Sequence, residues 1–312
     1  GPPPPHPVGA MAVQKAYRQA ARRPRAVLLA AAAAAALAGC SLTRGSVGAG
    51  AAEDAVTQPL APVAFLGNDA AGVIPTVKAA FPGAMKGSAV MSKLLSAVKP
   101  YGLKKRNTIY GQSVCSDEIN SDPGHLTTLM TRYYGRTFPL GGIGGAPYVG
   151  RTGFMAFSHH VPDNGNVLIV FGPHIGFSPE GEPGKFLRTG QAALSTSCGA
   201  VIAAYSQITS GARIPDDTQD IEQTWLRNQL KPHGPELAES SNTMVDLVMK
   251  AYKEVEKEVL DIVNTDFGPG HLVLLGGIQI NMPYPMPGYF KPLHFSVRSK
   301  AMKPKDLMHA FR

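Results

Sequence analysis

The chain is poor in cysteine, in charge and in tryptophan. Three cysteines and one tryptophan among 312 residues exclude the dense disulfide framework of a small secreted scaffold. One of the three, Cys40, falls in a leading segment unlike the rest, which leaves Cys115 and Cys198 as candidate functional thiols. Charged residues make up 17% of the chain and hydrophobic ones 44%, a balance that excludes a solvated, disordered polymer and suits a compact domain with sheet strands buried on both faces. No GxGxxG follows a strand: the glycine-rich passage 140–150 lacks that spacing, so dinucleotide binding has no support. The net charge of +8 leans on Lys15, Arg18, Arg22, Arg23 and Arg25 of the leading segment, so the folded part is not expected to bind nucleic acid.

What is present divides the chain at about residue 58. In the leading part, basic residues precede Ala26, Val27, Leu28, Leu29 and an alanine run that ends in Leu37, Ala38, Gly39 and Cys40. That is the layout of a targeting signal. Its apolar run is about fifteen residues, short of the roughly 20 needed to span a bilayer, so no stable membrane span is expected in the mature form. The segment reads either as an entry signal followed by a plastid transit region, with Arg44 and the small residues 45–52 behind it, or as a bacterial lipoprotein signal with its lipobox at Leu37–Cys40. The first places the protein in the chloroplast of a complex plastid; the second makes it secreted or lipid-anchored. Residues 1–58 are thus expected to be a removable segment and 59–312 the folded domain.

Within 59–312 the hydrophobic pattern alternates between strands and helices. Helical spacing runs from Ala79 to Ala97, a strand from Asn107 to Val114, and a helix follows Pro123. Val167 to Phe171 is an unbroken apolar run that reads as a strand buried on both faces, ending just before Pro173 and His174. A helix opens near Cys198, the longest helical pattern spans Gly234 to Asn264, and His271 to Ile280 reads as another buried strand. The proline-rich stretch Met282 to Pro292 is expected to be irregular. Such alternation predicts an α/β fold.

Cys115 and His174 each follow a strand and Cys198 sits at a helix start, where the partial positive charge of the helix lowers a thiol pKa. Two thiolates and an imidazole suit zinc. By spacing alone, however, Cys115-x-Asp117 with a distant His and Cys equally describes buried cysteines acting as small hydrophobes, or a hydrolase with Cys198 as nucleophile and His174 as base.

Three strings carry more information: Cys115-Ser-Asp117-Glu-Ile-Asn120, Ser158-His-His-Val-Pro-Asp163 and Gly172-Pro-His174-Ile-Gly176. With Phe81-Pro-Gly-Ala84, the Gly-Gly-Ile-Gly-Gly of 141–145 and Leu275-Gly-Gly-Ile278, they resemble the algal limiting-carbon-dioxide-inducible B/C family over most of the folded chain. The resemblance implies a β-carbonic-anhydrase-like (theta-type) fold, a central, largely parallel sheet flanked by helices. It also implies a Zn2+ held by Cys115, His174 and Cys198, with Asp117 as the active-site aspartate. The implied reaction interconverts carbon dioxide and bicarbonate in an algal carbon-concentrating mechanism. Zinc lowers the pKa of water to about 7, and Asp117 either orients the resulting hydroxide or turns onto the metal as a fourth ligand. The alternative is a catalytically silent, zinc-containing partner subunit that handles carbon dioxide and bicarbonate or regulates.

Where β-type enzymes place an arginine two residues after the aspartate, this chain has Ile119, so the partner of Asp117 must come from elsewhere, with Arg151 and Arg136 as candidates. His159 and His160 serve either as proton shuttles or as structural residues, while His125, His233, His271, His294 and His309 read as surface or satisfied core. The resemblance implies a homodimer or a hetero-oligomer with a paralogue, for which the 141–150 segment would suit close approach of two chains.

Overall fold

The computed structural model describes residues 70–264 and 266–312; the targeting signal, Cys40 and the 1–58 boundary lie outside them. In chain order the described elements begin with α1 (Ala70–Ala80), β1 (Met85–Lys86), α2 (Gly87–Val98), β2 (Thr108–Val114), α3 (Leu126–Tyr134), β3 (Phe138–Pro139), α4 (Gly150–Ser158), β4 (Asn166–Gly172) and β5 (His174–Gly176). There follow β6 (Lys185–Phe186), β7 (Ser195–Thr196), α5 (Gly199–Thr209), α6 (Ile221–Leu230), α7 (Gly234–Ala238), α8 (Thr243–Ile262), β8 (Leu272–Asn281), β9 (Tyr289–Ser299) and β10 (Met302–Asp306). Among the described residues no helix is long and apolar enough to cross a membrane.

One mixed sheet runs β1-β9-β8-β4-β2-β3. Its centre is parallel, β4 lying between β2 and β8, while β9 joins β8 antiparallel. Every residue of β4 and of β8 is buried, as their apolar runs Val167–Phe171 and Leu272–Leu275 require. Period-2 alternation divides β4 between two layers. Val167, Ile169 and Phe171 pack with Val248, Tyr252, Val255 and Val259 of α8 and Phe154 and Phe157 of α4. Leu168 and Val170 pack with Val90 and Leu94 of α2 and Leu126 and Met130 of α3. Helices therefore cover both faces, giving the α/β architecture that the alternating pattern implies.

Three boundaries differ from the sequence reading, each for a local reason. The helical spacing of 79–97 is split between α1 and α2, because Pro82-Gly83 makes a turn and Met85–Lys86 pairs with β9. The long pattern of 234–264 is two helices. Between α7 and α8 the Ser240 hydroxyl accepts from the Asn242 N–H and donates to Asp246, so local side-chain bonding outcompetes helix continuation. The 282–292 stretch becomes strand from Tyr289, and Pro292 is accommodated where the register against β8 shifts by one residue, between the stretches of β9 that pair with β1 and β10. A bulge is where a sheet tolerates a missing N–H.

β4 and β5 follow β8 in the same register, interrupted at Gly172-Pro173, where the Pro173 carbonyl takes the Gln279 N–H. Gly172 has φ 137°, and a Cβ there would lie 1.8 Å from the Gly277 carbonyl oxygen. Both backbone and space demand glycine at this kink, which delivers His174 to the carboxyl end of the sheet.

Gly172→Ala is expected to destabilise the fold by about 3 kcal/mol or more in urea unfolding. Gly135→Ala is the control: it has φ +83° but nothing within 4 Å of a Cβ, and should lose about 1 kcal/mol. Equal losses would show that close approach to Gly277 is not what fixes Gly172.

Candidate metal centre

Cys115 is the first residue beyond β2, His174 the first of β5, and Cys198 follows β7 and caps the amino end of α5. β2 and β4 are adjacent parallel strands, so their carboxyl ends lie side by side, and the β6–β7 hairpin returns the chain to the same edge. One ligand atom from each of the three residues lies within 4.8 Å of the others, and all three residues are buried. The two free thiols face each other with Sγ···Sγ 3.6 Å. Two sulfurs about 2.3 Å from one tetrahedral metal would stand roughly 3.8 Å apart, so the separation already suits a shared ion.

The imidazole gives the stronger test of fit. His174 is 1% exposed. Its Nδ1 faces Asn281 Oδ1 at 2.7 Å and Ser197 Oγ at 3.4 Å, while Nε2 is buried with no hydrogen-bond partner among the described residues. An orphaned buried polar atom costs about 1–3 kcal/mol. A metal ion accepting the Nε2 lone pair removes that penalty, and the partner on the opposite nitrogen is the arrangement metal-binding histidines use. The donor set therefore fits a metal.

The sulfurs are prepared for charge. Cys115 Sγ accepts the Gly144 N–H at 3.2 Å, and Cys198 sits at the amino end of α5, where the backbone N–H groups of Ala200 and Val201 favour a negative sulfur. The two thiols are unlike: hydrogen bonding to Cys115 pulls the Cys198 pKa down, and hydrogen bonding to Cys198, with burial, pushes Cys115 up. Burial opposes charge on His174, but the neighbouring Cys115, Asn281 and Asp117 outweigh it and hold its pKa above the usual value. The glycine-rich passage serves this chain's own site. Its Ile143 N–H is held by Glu222 Oε2 at 2.6 Å, and Gly145 packs on the Gly172 backbone, which aims the Gly144 N–H at sulfur.

Asp117 lies beside the cluster, Oδ2 3.6 Å from His174 Nε2. Its partner is Arg188, whose Nη2 donates to Asp117 Oδ2 at 2.7 Å and whose Nε donates to Glu118 Oε1 at 2.7 Å; the guanidinium also reaches Ser195 Oγ and the Thr196 carbonyl. Burial alone would raise the Asp117 pKa, yet His174, Glu118 and Arg188 together hold it below the usual carboxylate value. Meanwhile Asp117 Oδ1 accepts the Ile119 N–H, capping the 3-10 turn of Glu118–Ser121. The two oxygens are thus divided, Oδ1 bound to the turn and Oδ2 to Arg188.

Neither sequence candidate for the arginine is correct. Arg151 pairs with Asp261 at the surface, and Arg136 lines a cavity of about 410 Å³ with Lys105, Arg106, Phe138 and His160. Arg188 was missed because it sits in the loop of a hairpin with two-residue strands; its one signal is that this hairpin leads straight into Cys198.

His159 and His160 are exposed at the end of α4. The cavity beside His160 opens at the amino end of β2, at Thr108 and Ile109. With about 3.3 Å of rise per residue, that is roughly 20 Å from Cys115, too far for direct proton exchange with the cluster in this chain. His125 departs from the satisfied-core reading: it is buried with Nδ1 unpartnered, and burial with the nearby His174 pushes its pKa down to about 4. His233 and His294 pair with Glu254 and Glu256 of α8. The hydrolase reading fails on access, since Cys198 is 4% exposed and its sulfur faces a second thiol.

Comparison with known proteins agrees with this geometry. A family model described as limiting CO2-inducible proteins B/C beta carbonic anhydrases matches residues 84–299. The crystal structure of PtLCIB4, a homologue of the limiting CO2-inducible protein LCIB, is 32% identical, covers 75% of this chain and 98% of its own, and superposes with a TM-score of 0.69. The crystal structure of LCIB itself, at 19% identity, 73% and 96% coverage and a TM-score of 0.58, shares the fold. No curated protein matches the chain. A buried Cys-His-Cys cluster on this fold, under a family match spanning most of the described residues, places the chain in the limiting CO2-inducible protein B/C family, whose members are β-carbonic-anhydrase-like.

Proposed function

We propose that the protein is a zinc-dependent carbonic anhydrase that interconverts carbon dioxide and bicarbonate in an algal carbon-concentrating mechanism. The observation that carries this reading is the unpartnered His174 Nε2 set against two cysteine sulfurs, with an ionised carboxylate 3.6 Å away. Cys115, His174 and Cys198 would hold the ion, and two thiolates with one imidazole select zinc over harder metals. When bound, zinc supplies Lewis acidity, bringing the ionisation of water down to about pH 7 so that hydroxide is available for addition to carbon dioxide.

The chain's own residues prepare that addition. Asp117, kept ionised and aimed by Arg188, can accept a hydrogen bond from hydroxide and so orient it. Arg188 is in turn fixed by Glu118, Ser195 and Thr196, so the carboxylate is held to one side of the cluster. The Gly144 N–H stabilises negative sulfur on Cys115, and burial of all three ligand residues keeps competing water out of their bonds.

One observation favours the second reading, a silent zinc-containing subunit. Asp117 Oδ2 lies close enough to Nε2 that a modest rotation would make it a fourth ligand and close the site. The same proposal covers the remaining expectations: residues 1–58 as a removable plastid-targeting segment ahead of a 59–312 domain, and assembly as a homodimer or with a paralogue.

Purified protein is expected to carry one zinc per chain and to accelerate acidification of carbon-dioxide-saturated buffer in a stopped-flow indicator assay. Cys115→Ser and His174→Ala should lose both metal and turnover, whereas Asp117→Asn should keep the metal and lose about 10- to 100-fold in kcat/KM. Stoichiometric zinc without turnover in the unaltered protein identifies the silent subunit.

Iodoacetamide labelling separates zinc from hydrolase chemistry. Cys115 and Cys198 should alkylate only after a chelator has removed the metal; burst labelling of Cys198 that ignores the chelator would defeat the metal assignment. Fusion of residues 1–58 to a fluorescent protein should direct it to the plastid of an algal host, and retention at the cell envelope with a lipid on Cys40 would replace that assignment with the lipoprotein one.

A further inference from the structure

A chain of buried side-chain amides connects the backbone of one ligand to the ring of another. It begins at the carbonyl of Cys115, which can only accept, so the Asn120 atom 3.1 Å from it is the amide nitrogen Nδ2. That fixes Asn120 Oδ1 as the atom facing the other way, where it accepts from Gln279 Nε2 at 2.8 Å and Asn281 Nδ2 at 3.0 Å. A second backbone carbonyl gives the same answer independently, because Asn281 Nδ2 also donates to the Ile119 carbonyl at 3.3 Å. Gln279 is held at its other end by the Thr127 hydroxyl, which donates to Oε1 at 3.0 Å. With its nitrogen committed, Asn281 presents Oδ1 to His174 Nδ1 at 2.7 Å. Two acceptors at that distance repel, so Nδ1 must carry the proton. Ser197 Oγ, at 3.4 Å from the same nitrogen, is a weaker competitor. Asn120, Gln279, Asn281 and His174 are all 5% exposed or less, so water does not offer them alternative partners.

We propose that Asn120 and Asn281 are positioning residues for metal capture: anchored on the Cys115 carbonyl, they lock His174 in the Nδ1–H tautomer before any metal arrives, leaving the Nε2 lone pair free in the cluster. A neutral histidine side chain in water prefers the opposite tautomer, with the proton on Nε2, which would block coordination through that nitrogen. The amides therefore replace a proton rearrangement that would otherwise accompany binding. They also tie the loop after β2 to β8, so that Cys115 and His174 keep a common frame. Asn120 acts on the ring without touching it. The inference rests on the metal reading of the site but not on turnover.

The test uses the full chain labelled with 15N-histidine, stripped of metal by a chelator under reducing conditions, with His174 assigned by its loss in His174→Ala. Long-range 1H–15N correlation spectra distinguish the protonated ring nitrogen from the bare one, and a chelator competition titration with zinc reads affinity. At a pH high enough for the ring to be neutral, His174 in the unaltered protein should show a single tautomer, protonated at Nδ1. Asn281→Leu should shift the population towards Nε2–H and weaken zinc binding about 10- to 100-fold, and Asn120→Leu should do the same in spite of its distance from the ring. Asn281→Asp keeps an acceptor facing Nδ1 and should retain the Nδ1–H species, a rescue that a general packing role would not give. An Nε2–H species in the unaltered protein overturns the proposal even if no variant folds. So does an unchanged tautomer with unchanged zinc affinity in folded Asn120→Leu and Asn281→Leu. Because neither readout involves carbon dioxide, a zinc-binding protein that does not turn over leaves this inference standing while removing the enzymatic one.

Discussion

The His174 imidazole is buried with Nε2 lacking a protein hydrogen-bond partner among the described residues, an arrangement that would cost about 1–3 kcal/mol if no ligand took it up, and much of the surrounding structure serves to maintain it. The Gly172 kink brings the ring to the sheet edge, Asn281 occupies its other nitrogen, and the layer formed by Val201, Leu226, Leu230, Leu247 and Ala251 shuts solvent away from the sulfurs. A fold that spends stability on an open coordination position gains it back only through the ligand that fills it, since whatever binds the native state alone stabilises it by mass action. The same burial that strands Nε2 makes the thiol proton costly to remove, which the Gly144 N–H on Cys115 and the helix amino end behind Cys198 offset.

The sheet topology explains how residues so distant in sequence meet. β2, β4 and β8 are parallel neighbours, and adjacent strands stand about 4.8 Å apart. Whatever follows β2 and β4 at their carboxyl ends must therefore lie within a few ångströms, the position at which open α/β sheets present ligands. Cys115 and His174 occupy those two positions. Cys198 needs a separate device: the β6–β7 hairpin carries the chain out and back, and α5 starts where it returns, so the third ligand arrives with a helix amino terminus behind it.

What the sequence made legible follows from the range over which each signal acts. β4 and β8 announce themselves because burial on both faces demands apolar runs, here Val167–Phe171 and Leu272–Leu275, and the end of the first points to His174 directly. Cys198 at a helix start is readable from the Ser/Thr cluster before Gly199 and the apolar residues after it. Boundaries decided by a single turn, such as Pro82-Gly83 or Ser240–Asn242, are overrun by the helical periodicity on either side. Tyr289 to Pro292 escapes because Pro292 reads as a breaker until the one-residue register shift against β8 is known. Arg188 is the hardest case: its role depends on a hairpin folding over the Asp117 loop, a long-range contact that neither periodicity nor local spacing encodes. The glycine-rich passage sits between these extremes, since its permission for close approach is visible while the object approached, the Cys115 sulfur, is not.

Whether the cluster stays open for substrate turns on the two oxygens of Asp117. Oδ1 is engaged by the Ile119 N–H and Oδ2 by Arg188, so rotation of the carboxylate towards Nε2 forfeits both contacts. A hydrogen bond to a charged partner is worth about 1.5–3 kcal/mol, discounted here because Asp117 and Arg188 are partly solvent-accessible. Arg188 would not follow, because Glu118, Ser195 and Thr196 hold it where it is, and it would keep those partners after losing Asp117. The penalty for closing is therefore a contact or two rather than the collapse of a network. Arg188 thus sets the balance between a carboxylate that serves the substrate position and one that fills it, which makes a residue of a short hairpin loop, rather than any ligand, the point at which the two functional readings of this site diverge.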